Sequence, residues 1–454
     1  MKITSLFKKI SKLLSLSPGF IRYFTNTGWL FLERIVGMFI SLLVGVYVAR
    51  YLGPDNYGLL SYANSFVGLF MFLATLGLDT ILVRELVRDE KKRDELLGTT
   101  FILKIIGSLL LLGIILMAVK VTTNDSFTNL LIFIIALGTI FQSFQVVDFY
   151  FQSKVLSKYT VYIQIISEIL SATMKLILIF LKKNLLYFAI VILIENIVLA
   201  AGSMVMYTRQ KLSFFNWKLK YNLAKNLLKD SWPLMLSSIT ISIYMRIDQV
   251  MIKNMLDTKA VGNYAVAVRL VEIWYFIPIA VTKSVFPAII NAKKISEKLY
   301  YERLQKLYDL MTWSAIGIAL PIMLFSHNII QLLFGIQYQE AVGVLKIYAW
   351  ASVFVFLGCA SGRWFLVENL QLLGSIYSFL GSILNVLLNI LLISKYGIIG
   401  AAWATLISYI IITNFILIIF KKTRINFILL LNSFNIVRVM SNIIKGIDAK
   451  MPTN

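Results

Sequence analysis

Arg50-Tyr51-Leu52-Gly53-Pro54-Asp55-Asn56-Tyr57-Gly58 is a short polar interruption between two long apolar stretches. Proline lacks the N–H that would continue a helix, and glycine accepts backbone angles that other residues avoid, so Gly53-Pro54 ends the first stretch. Gly58 opens the second. The pattern predicts a helical hairpin, in which the chain leaves an apolar layer and turns back into it. A fainter copy lies near Thr258. Residues 51–63 can be laid over 255–267, with Leu52, Gly58 and Ala63 falling on Leu256, Gly262 and Ala267. Position supports the match more than identity does, since each stretch follows the first apolar span of its half.

The bulk composition agrees with an apolar layer. Of 454 residues, 59% are hydrophobic and 15% charged, and the mean hydropathy is +0.81. Soluble domains are about 45–50% apolar and about 25% charged. Runs of about 20 apolar residues recur along the chain, the length that crosses a hydrocarbon core of about 30 Å. The expected class is an all-α polytopic membrane protein. A β-barrel would show short alternating segments instead. One cysteine and one histidine exclude an intrachain disulfide and a Cys/His zinc cluster. No nucleophile elbow or P-loop accompanies them, and His327 reads as a residue at a helix end.

Twelve spans are expected, at 28–49, 57–83, 97–119, 126–151, 160–181, 185–208, 230–255, 262–288, 307–333, 341–366, 371–393 and 398–420. They fall into two six-helix bundles, 28–208 and 230–420, joined by a basic linker, 209–229. The bundles form a parallel repeat, because both start on the same side. Residues 1–27 precede them. There Ile3, Leu6, Phe7, Ile10, Leu13 and Leu14 share one helical face, with Lys2, Lys8, Lys9 and Lys12 mostly on the other. That is a basic amphipathic segment for a membrane surface, not a cleaved signal peptide. A tail, 421–454, follows, and its apolar piece at 425–431 is too short to span and is expected to lie on the surface.

The net charge of +22 reports topology. Most of the 44 Lys and Arg lie in the segments on the side shared by both termini, and few in 50–56, 120–125, 182–184, 256–261, 334–340 and 394–397. The positive-inside rule then puts both termini in the cytoplasm. The basic side faces anionic membrane lipids, and no nucleic-acid partner is implied. All loops are short, so any activity is expected within or across the bilayer.

Ionisable residues inside spans are costly and are functional candidates by default. Arg34, Lys104 and Arg363, close to one membrane face, and Lys346, close to the other, can snorkel to water. Asp79 and Asp148 are also near span ends and can cap or pair with loop cations. Deeper groups are harder to account for. In the seventh span Ser238, Ser242, Arg246, Gln249 and Lys253 share a face, and Asp248 projects beside them. In the eighth, Arg269 and Glu272 are three apart and Lys283 follows. The spacing places Arg246, Asp248, Arg269 and Glu272 in one hairpin. Gln164, Glu168, Ser171 and Lys175 line the fifth span, Gln142, Gln145, Asp148 and Gln152 the fourth, and Glu195 sits in the sixth. Such stripes either hold helices together or line a hydrated cavity. In the second case buried arginines suit a phosphate-bearing group, and buried carboxylates suit uptake of H⁺ or Na⁺.

Asn26-Thr27-Gly28-Trp29-Leu30-Phe31-Leu32-Glu33-Arg34, then Val48-Ala49-Arg50 running into the opening turn, then Leu76-Gly77-Leu78-Asp79, resemble the N-terminal part of bacterial polysaccharide flippases. These are O-antigen and capsule repeat-unit translocases of the multidrug/oligosaccharidyl-lipid/polysaccharide exporter superfamily. Arg246-Ile247-Asp248-Gln249-Val250-Met251-Ile252, Val261-Gly262-Asn263-Tyr264 and Arg269 are similar too. The resemblance implies a V-shaped pair of bundles working by alternating access in the bacterial cytoplasmic membrane. It implies a lipid-linked oligosaccharide substrate carried on undecaprenyl pyrophosphate, and a polysaccharide polymerase as a further partner. Arg246, Arg269, Lys283 and Arg34 are then candidates for substrate binding. Asp248, Glu272, Glu168 and Glu195 are candidates for coupling to H⁺ or Na⁺. No catalytic residue, metal or organic cofactor is expected. An ion-coupled multidrug or cation antiporter of the same superfamily is the alternative, and a membrane enzyme of polysaccharide assembly a more distant one.

Overall fold

The computed structural model describes residues 18–439, with side chains from Thr25 onward. The amphipathic reading of residues 1–17 and the last part of the tail, 440–454, lie outside the described residues. Every described element is helical. Nine helices are long and apolar enough, by length and composition, to cross a membrane, and the chain is a multi-pass membrane protein. The helix carrying Arg246, Asp248 and Lys253 is not among the nine.

The first helix, α1 (Pro18–Leu69), is 52 residues long. Straight, it would reach about 78 Å, more than twice the hydrocarbon thickness. It breaks at Gly53, whose φ of 70° and ψ of 171° lie outside the helical region. Pro54 then sits as the first residue of the resumed helix, where its missing N–H is harmless. The same device recurs in α15 (Gln371–Thr413), which breaks at Gly397 with φ 59°. Both breaks fall where the sequence placed loops.

Between these lie α2 (Met71–Thr75), α3 (Leu78–Arg88), α4 (Arg93–Val121), α5 (Ser126–Phe141), α6 (Val146–Ser153), α7 (Lys158–Phe180), α8 (Leu185–Arg209), α9 (Tyr221–Met255), α10 (Thr258–Glu272), α11 (Phe276–Ile295), α12 (Glu297–Leu324), α13 (Ser326–Leu333) and α14 (Ala341–Val367). A last helix, α16, covers Arg424–Asn432. Several expected spans are interrupted. The second is broken where Leu76 and Gly77 take left-handed angles. A Cβ on Gly77 would lie 2.8 Å from the backbone nitrogen of Met235 and 2.9 Å from the carbonyl of Ser231, so the break lets the chain pass closely against α9. The fourth is interrupted by a 3₁₀ turn at Gln142–Gln145.

The chain divides into two compact units. The first holds the chain up to Leu52 and Leu59–Arg246, and the second holds Gly53–Gly58 and Ile247 onward. In the first unit the core gathers Leu78, Leu82, Leu97, Val146, Phe151 and Tyr207, all buried, from α3, α4, α6 and α8. In the second, α14 is packed by α10, α12 and α15. The tail also belongs to this core, against the expectation of a surface segment. Asn426 of α16 is fully buried, accepts from Tyr308 at 2.5 Å and donates to Ser361 at 2.8 Å. The Ser433 hydroxyl meets that of Thr312 at 2.7 Å. The apolar count was too short for a span, but a polar wedge satisfied by two partner helices makes the piece a packing element.

Inside the second unit the opening turn and its faint copy meet. Asp257 caps α10, its carboxylate accepting from the Ala260 N–H at 2.7 Å. Thr258 is therefore the first helical residue, as Pro54 is after Gly53. A Cβ on Gly58 would lie 1.8 Å from the carbonyl oxygen of Thr258, and one on Gly262 would lie 2.0 Å from that of Pro54. The sequence alignment pairs Pro54 with Thr258 and Gly58 with Gly262, so the contact is reciprocal: each repeat's glycine receives the other's first helical carbonyl. No side chain fits at either place. Gly58→Val or Gly262→Val should lower stability by about 1–3 kcal/mol, the usual range for overpacking, whereas Gly113→Ala, with nothing within 4 Å, should be neutral or mildly stabilising. Thermal unfolding of the detergent-solubilised variants measures this.

Candidate functional site

Asp248 is the most enclosed of the expected site residues, at 6% exposure. An isolated carboxylate in an apolar body is costly unless donors reach it. Three do. Tyr264 of α10 donates its hydroxyl to Oδ2 at 2.6 Å, Thr405 donates to the same oxygen at 2.6 Å, and Asn389 donates its amide to Oδ1 at 2.6 Å. Asn385 extends the set, accepting from Asn389 at 3.1 Å and donating to Thr405 at 3.5 Å. Asn385, Asn389 and Thr405 all come from α15, the asparagines before the break at Gly397 and the threonine after it. The break therefore lets one helix present both arms to Asp248. Two hydroxyls and one amide thus donate to the enclosed carboxylate, and Asn385 links the amide to the Thr405 hydroxyl. Oδ1 of Asn389 is itself buried with no donor.

The side chains around Asp248 were not singled out from sequence. A signal was present: Asn385 and Asn389 are four apart within an otherwise apolar span, so both lie on one face.

The four charges expected in one hairpin are distributed differently. The partners that reach Asp248 are neutral. Arg246, two residues earlier, belongs to the first unit, where its stem covers Gly68. A Cβ on that glycine would lie 3.2 Å from Arg246 Cγ. Arg269, partly buried, donates from Nη1 to the Tyr57 hydroxyl at 3.2 Å. This ties it to the opening turn, and Tyr57 in turn packs edge-on against Tyr338. Glu272 is partly buried one turn further along. Lys283 and Arg34 are exposed and neither joins the Asp248 network.

In the first unit, Glu195 accepts from Ser171 at 2.5 Å and pairs with Lys175 at 3.5 Å. This makes the α7 stripe, at least in part, a polar seam between α7 and α8. Glu168 packs against Gly37, where a Cβ would lie 2.5 Å from its carboxylate. Lys104 does not snorkel. It is 1% exposed and its ammonium pairs with Asp79 at 2.6 Å. A short buried ion pair inside the bundle replaces the reach to water that its position near a span end suggested. Arg363 places its guanidinium 5.3 Å from the centre of the Phe286 ring, and Lys346 is exposed.

Comparison with known proteins follows the same lines. The polysaccharide biosynthesis protein family model matches residues 24–293, and the MatE family model matches 233–391. A protein of Haloferax volcanii named "Probable low-salt glycan biosynthesis flippase Agl15" is 27% identical over 194 residues, 42% of this chain. The match spans 40% of that relative's length. Among solved structures, the lipid II flippase MurJ in an inward closed conformation superposes with a TM-score of 0.68 at 17% identity, over 95% of this chain and 94% of that one. An inward-facing multidrug resistance MATE family transporter of the MOP superfamily gives 0.66 at 14% identity, over 89% and 99%. At these identities the superpositions establish a shared fold.

The network around Asp248 predicts a graded response to lost donors. Thr405→Val removes one hydrogen bond to a carboxylate and should cost about 1.5–3 kcal/mol. Thr405→Ser keeps the hydroxyl and should cost well under half as much. Unfolding midpoints in detergent compare the two.

Proposed function

The chain belongs to the polysaccharide biosynthesis protein family, and we propose that it is a flippase moving lipid-linked oligosaccharide repeat units across the cytoplasmic membrane. The units are carried on undecaprenyl pyrophosphate and feed O-antigen, capsule or exopolysaccharide synthesis. The step is transport by alternating access, with no covalent chemistry on the sugar. The Lys- and Arg-rich segments face the cytoplasm, as do both termini, and a polysaccharide polymerase takes up the product on the far side.

The observation that carries this reading is Arg269. A guanidinium is permanently charged, and here it is partly buried and donates to the Tyr57 hydroxyl at 3.2 Å. Its planar fork matches phosphate oxygens two at a time. Arg246, Lys283 and Arg34 remain the further candidates for substrate binding. The relative from Haloferax volcanii supports the class of cargo, and the fold shared with the lipid II flippase supports a lipid-linked one.

Of the four carboxylates considered for coupling, Asp248 is the best placed. It is buried and reached by three neutral donors, and the buried Asn389 oxygen beside it lacks a donor. Entry of H⁺ or Na⁺ neutralises the carboxylate and favours whichever state holds the ion better. Glu272, Glu168 and Glu195 are secondary, Glu195 being engaged by Ser171 and Lys175. A second reading, ion-coupled export of an organic cation, is favoured by the MatE match over 233–391. Arg269 opposes it, since a fixed guanidinium repels a cationic cargo.

Arg269→Ala and Arg246→Ala, introduced in the native host, should each reduce surface polysaccharide at least tenfold at unchanged protein level. Lipid-linked precursor should accumulate on the cytoplasmic leaflet. Arg269→Lys should restore only part of the activity, because the bidentate fork is lost. Normal surface polysaccharide in both alanine variants overturns the assignment. Asp248→Asn should abolish the dependence of transport on the ion gradient.

A further inference from the structure

Among the described residues of the second unit, the guanidinium of Arg363 joins no ion pair. Arg363 lies on α14, about one turn before the helix ends at Val367. Its Nε is buried with no acceptor in hydrogen-bonding distance. The contact it does make is with a ring. The guanidinium carbon lies 5.3 Å from the centre of Phe286 on α11, a helix that packs against α14. A ring attracts the cation but supplies no oxygen to its N–H donors.

The acids that could have served are absent or committed. Neither α11 nor α14 contains an Asp or Glu. Glu368, just past α14, pairs with Lys293 of α11 at 2.7 Å. Asp309 belongs to α12, which packs on both helices, and it pairs with Arg438 at 2.5 Å. The Lys293–Glu368 pair also marks a level shared by the two helices. Phe286 precedes Lys293 by about two turns, or about 10 Å of helix. Stacking on Phe286 therefore holds the guanidinium inward of that pair, where its place near a span end suggested a reach to water. Lys283 is one turn further inward on α11, on the same face as Phe286, and it is exposed. Gly362, beside Arg363, is exposed, and a Cβ on it would meet nothing within 4 Å, so the helix surface there is open. A cation kept in a span without a countercharge is costly and points to a ligand that supplies one.

We propose that Arg363 and Lys283, with the Phe286 ring as a platform, form a binding site in the second unit for a phosphate-bearing anion. The Arg363 fork, its Nε–H included, takes two phosphate oxygens, and Lys283 adds a point charge. No covalent bond is made or broken. The site lies on other helices than Arg269 and the Asp248 network. Its chemistry suits the pyrophosphate of a lipid-linked cargo and the phosphate of an anionic lipid headgroup alike, and only the first of these rests on the transport reading.

Two measurements on the full chain separate the sources. Equilibrium binding of ³²P-labelled inorganic pyrophosphate in phosphatidylcholine nanodiscs reads the first. Native mass spectrometry of lipid retained from nanodiscs containing phosphatidylglycerol reads the second. Both compare the parent with Arg363→Gln, and again in the Arg269→Ala background, so that Arg269 does not contribute. Arg363→Gln should weaken pyrophosphate binding about tenfold or more, or lose one retained phosphatidylglycerol. Arg363→Lys keeps the charge without the fork and should fall between. Phe286→Leu should weaken binding about two- to fivefold. Because the guanidinium has no partner to lose, Arg363→Gln should unfold within about 2 °C of the parent. A fall well beyond that makes the arginine a structural tie and overturns the proposal. So do pyrophosphate binding and phosphatidylglycerol retention that are both absent, or both unchanged in Arg363→Gln. Surface polysaccharide in these variants bears on the transport reading and leaves the binding result standing.

Discussion

A carboxylate enclosed by apolar helices must be given donors or a countercharge, and both units of this protein are arranged to meet that demand. In the second unit Asp248 is met by neutral donors from α10 and from both arms of α15. In the first, Asp79 is met by the buried ammonium of Lys104. The two solutions differ in consequence. Neutral donors satisfy the hydrogen-bonding demand of the carboxylate without supplying a countercharge. An ion pair supplies the countercharge directly.

Meeting these demands requires helices that break at defined places. Gly397 lets one chain segment reach Asp248 with Asn389 before the break and Thr405 after it. The break at Leu76-Gly77 starts α3 just before Asp79, which pairs with Lys104. In a bilayer such irregular backbone is tolerated where it is buried in protein, and here each break is adjacent to a polar cluster. The irregularities and the buried charges are two aspects of one design.

The reciprocal seating of the two repeat turns is of another kind. Gly58 receives the Thr258 carbonyl and Gly262 receives that of Pro54. The constraint is steric, and it explains why two stretches with so few identities keep glycine at the same place. It also explains why Tyr57 lies within reach of Arg269. Once the turn is seated on α10, residue 57 faces the last turn of that helix. The recognition feature of the sequence and the candidate anion-binding arginine are thus parts of one contact.

Much was legible in the chain before any coordinates. Hydropathy dictated a multi-pass helical membrane protein, because only long apolar runs can cross hydrocarbon. Gly53-Pro54 and the segment ending at Gly397 marked helix breaks, because their backbone preferences are local. Asp248 stood out, since a charge in an apolar run is visible without knowing its neighbours. What surrounds each charge was not legible. Its place near a span end suggested that Lys104 reaches for water, whereas packing encloses its ammonium against Asp79 and lays the stem of Arg246 over Gly68. It also seated Asn426 and Leu430 of the tail in the second unit's core, while Ile425, Ile428 and Leu431 stay exposed. The sequence by itself determined the multi-pass helical class, the breaks at Gly53 and Gly397 and which residues are costly to bury, whereas the breaks at Leu76-Gly77 and Gln142–Gln145 came only with the structure. Only the tertiary structure decided how that cost is met, because the donors that satisfy Asp248 come from as far as 157 residues away, and no local period carries that information.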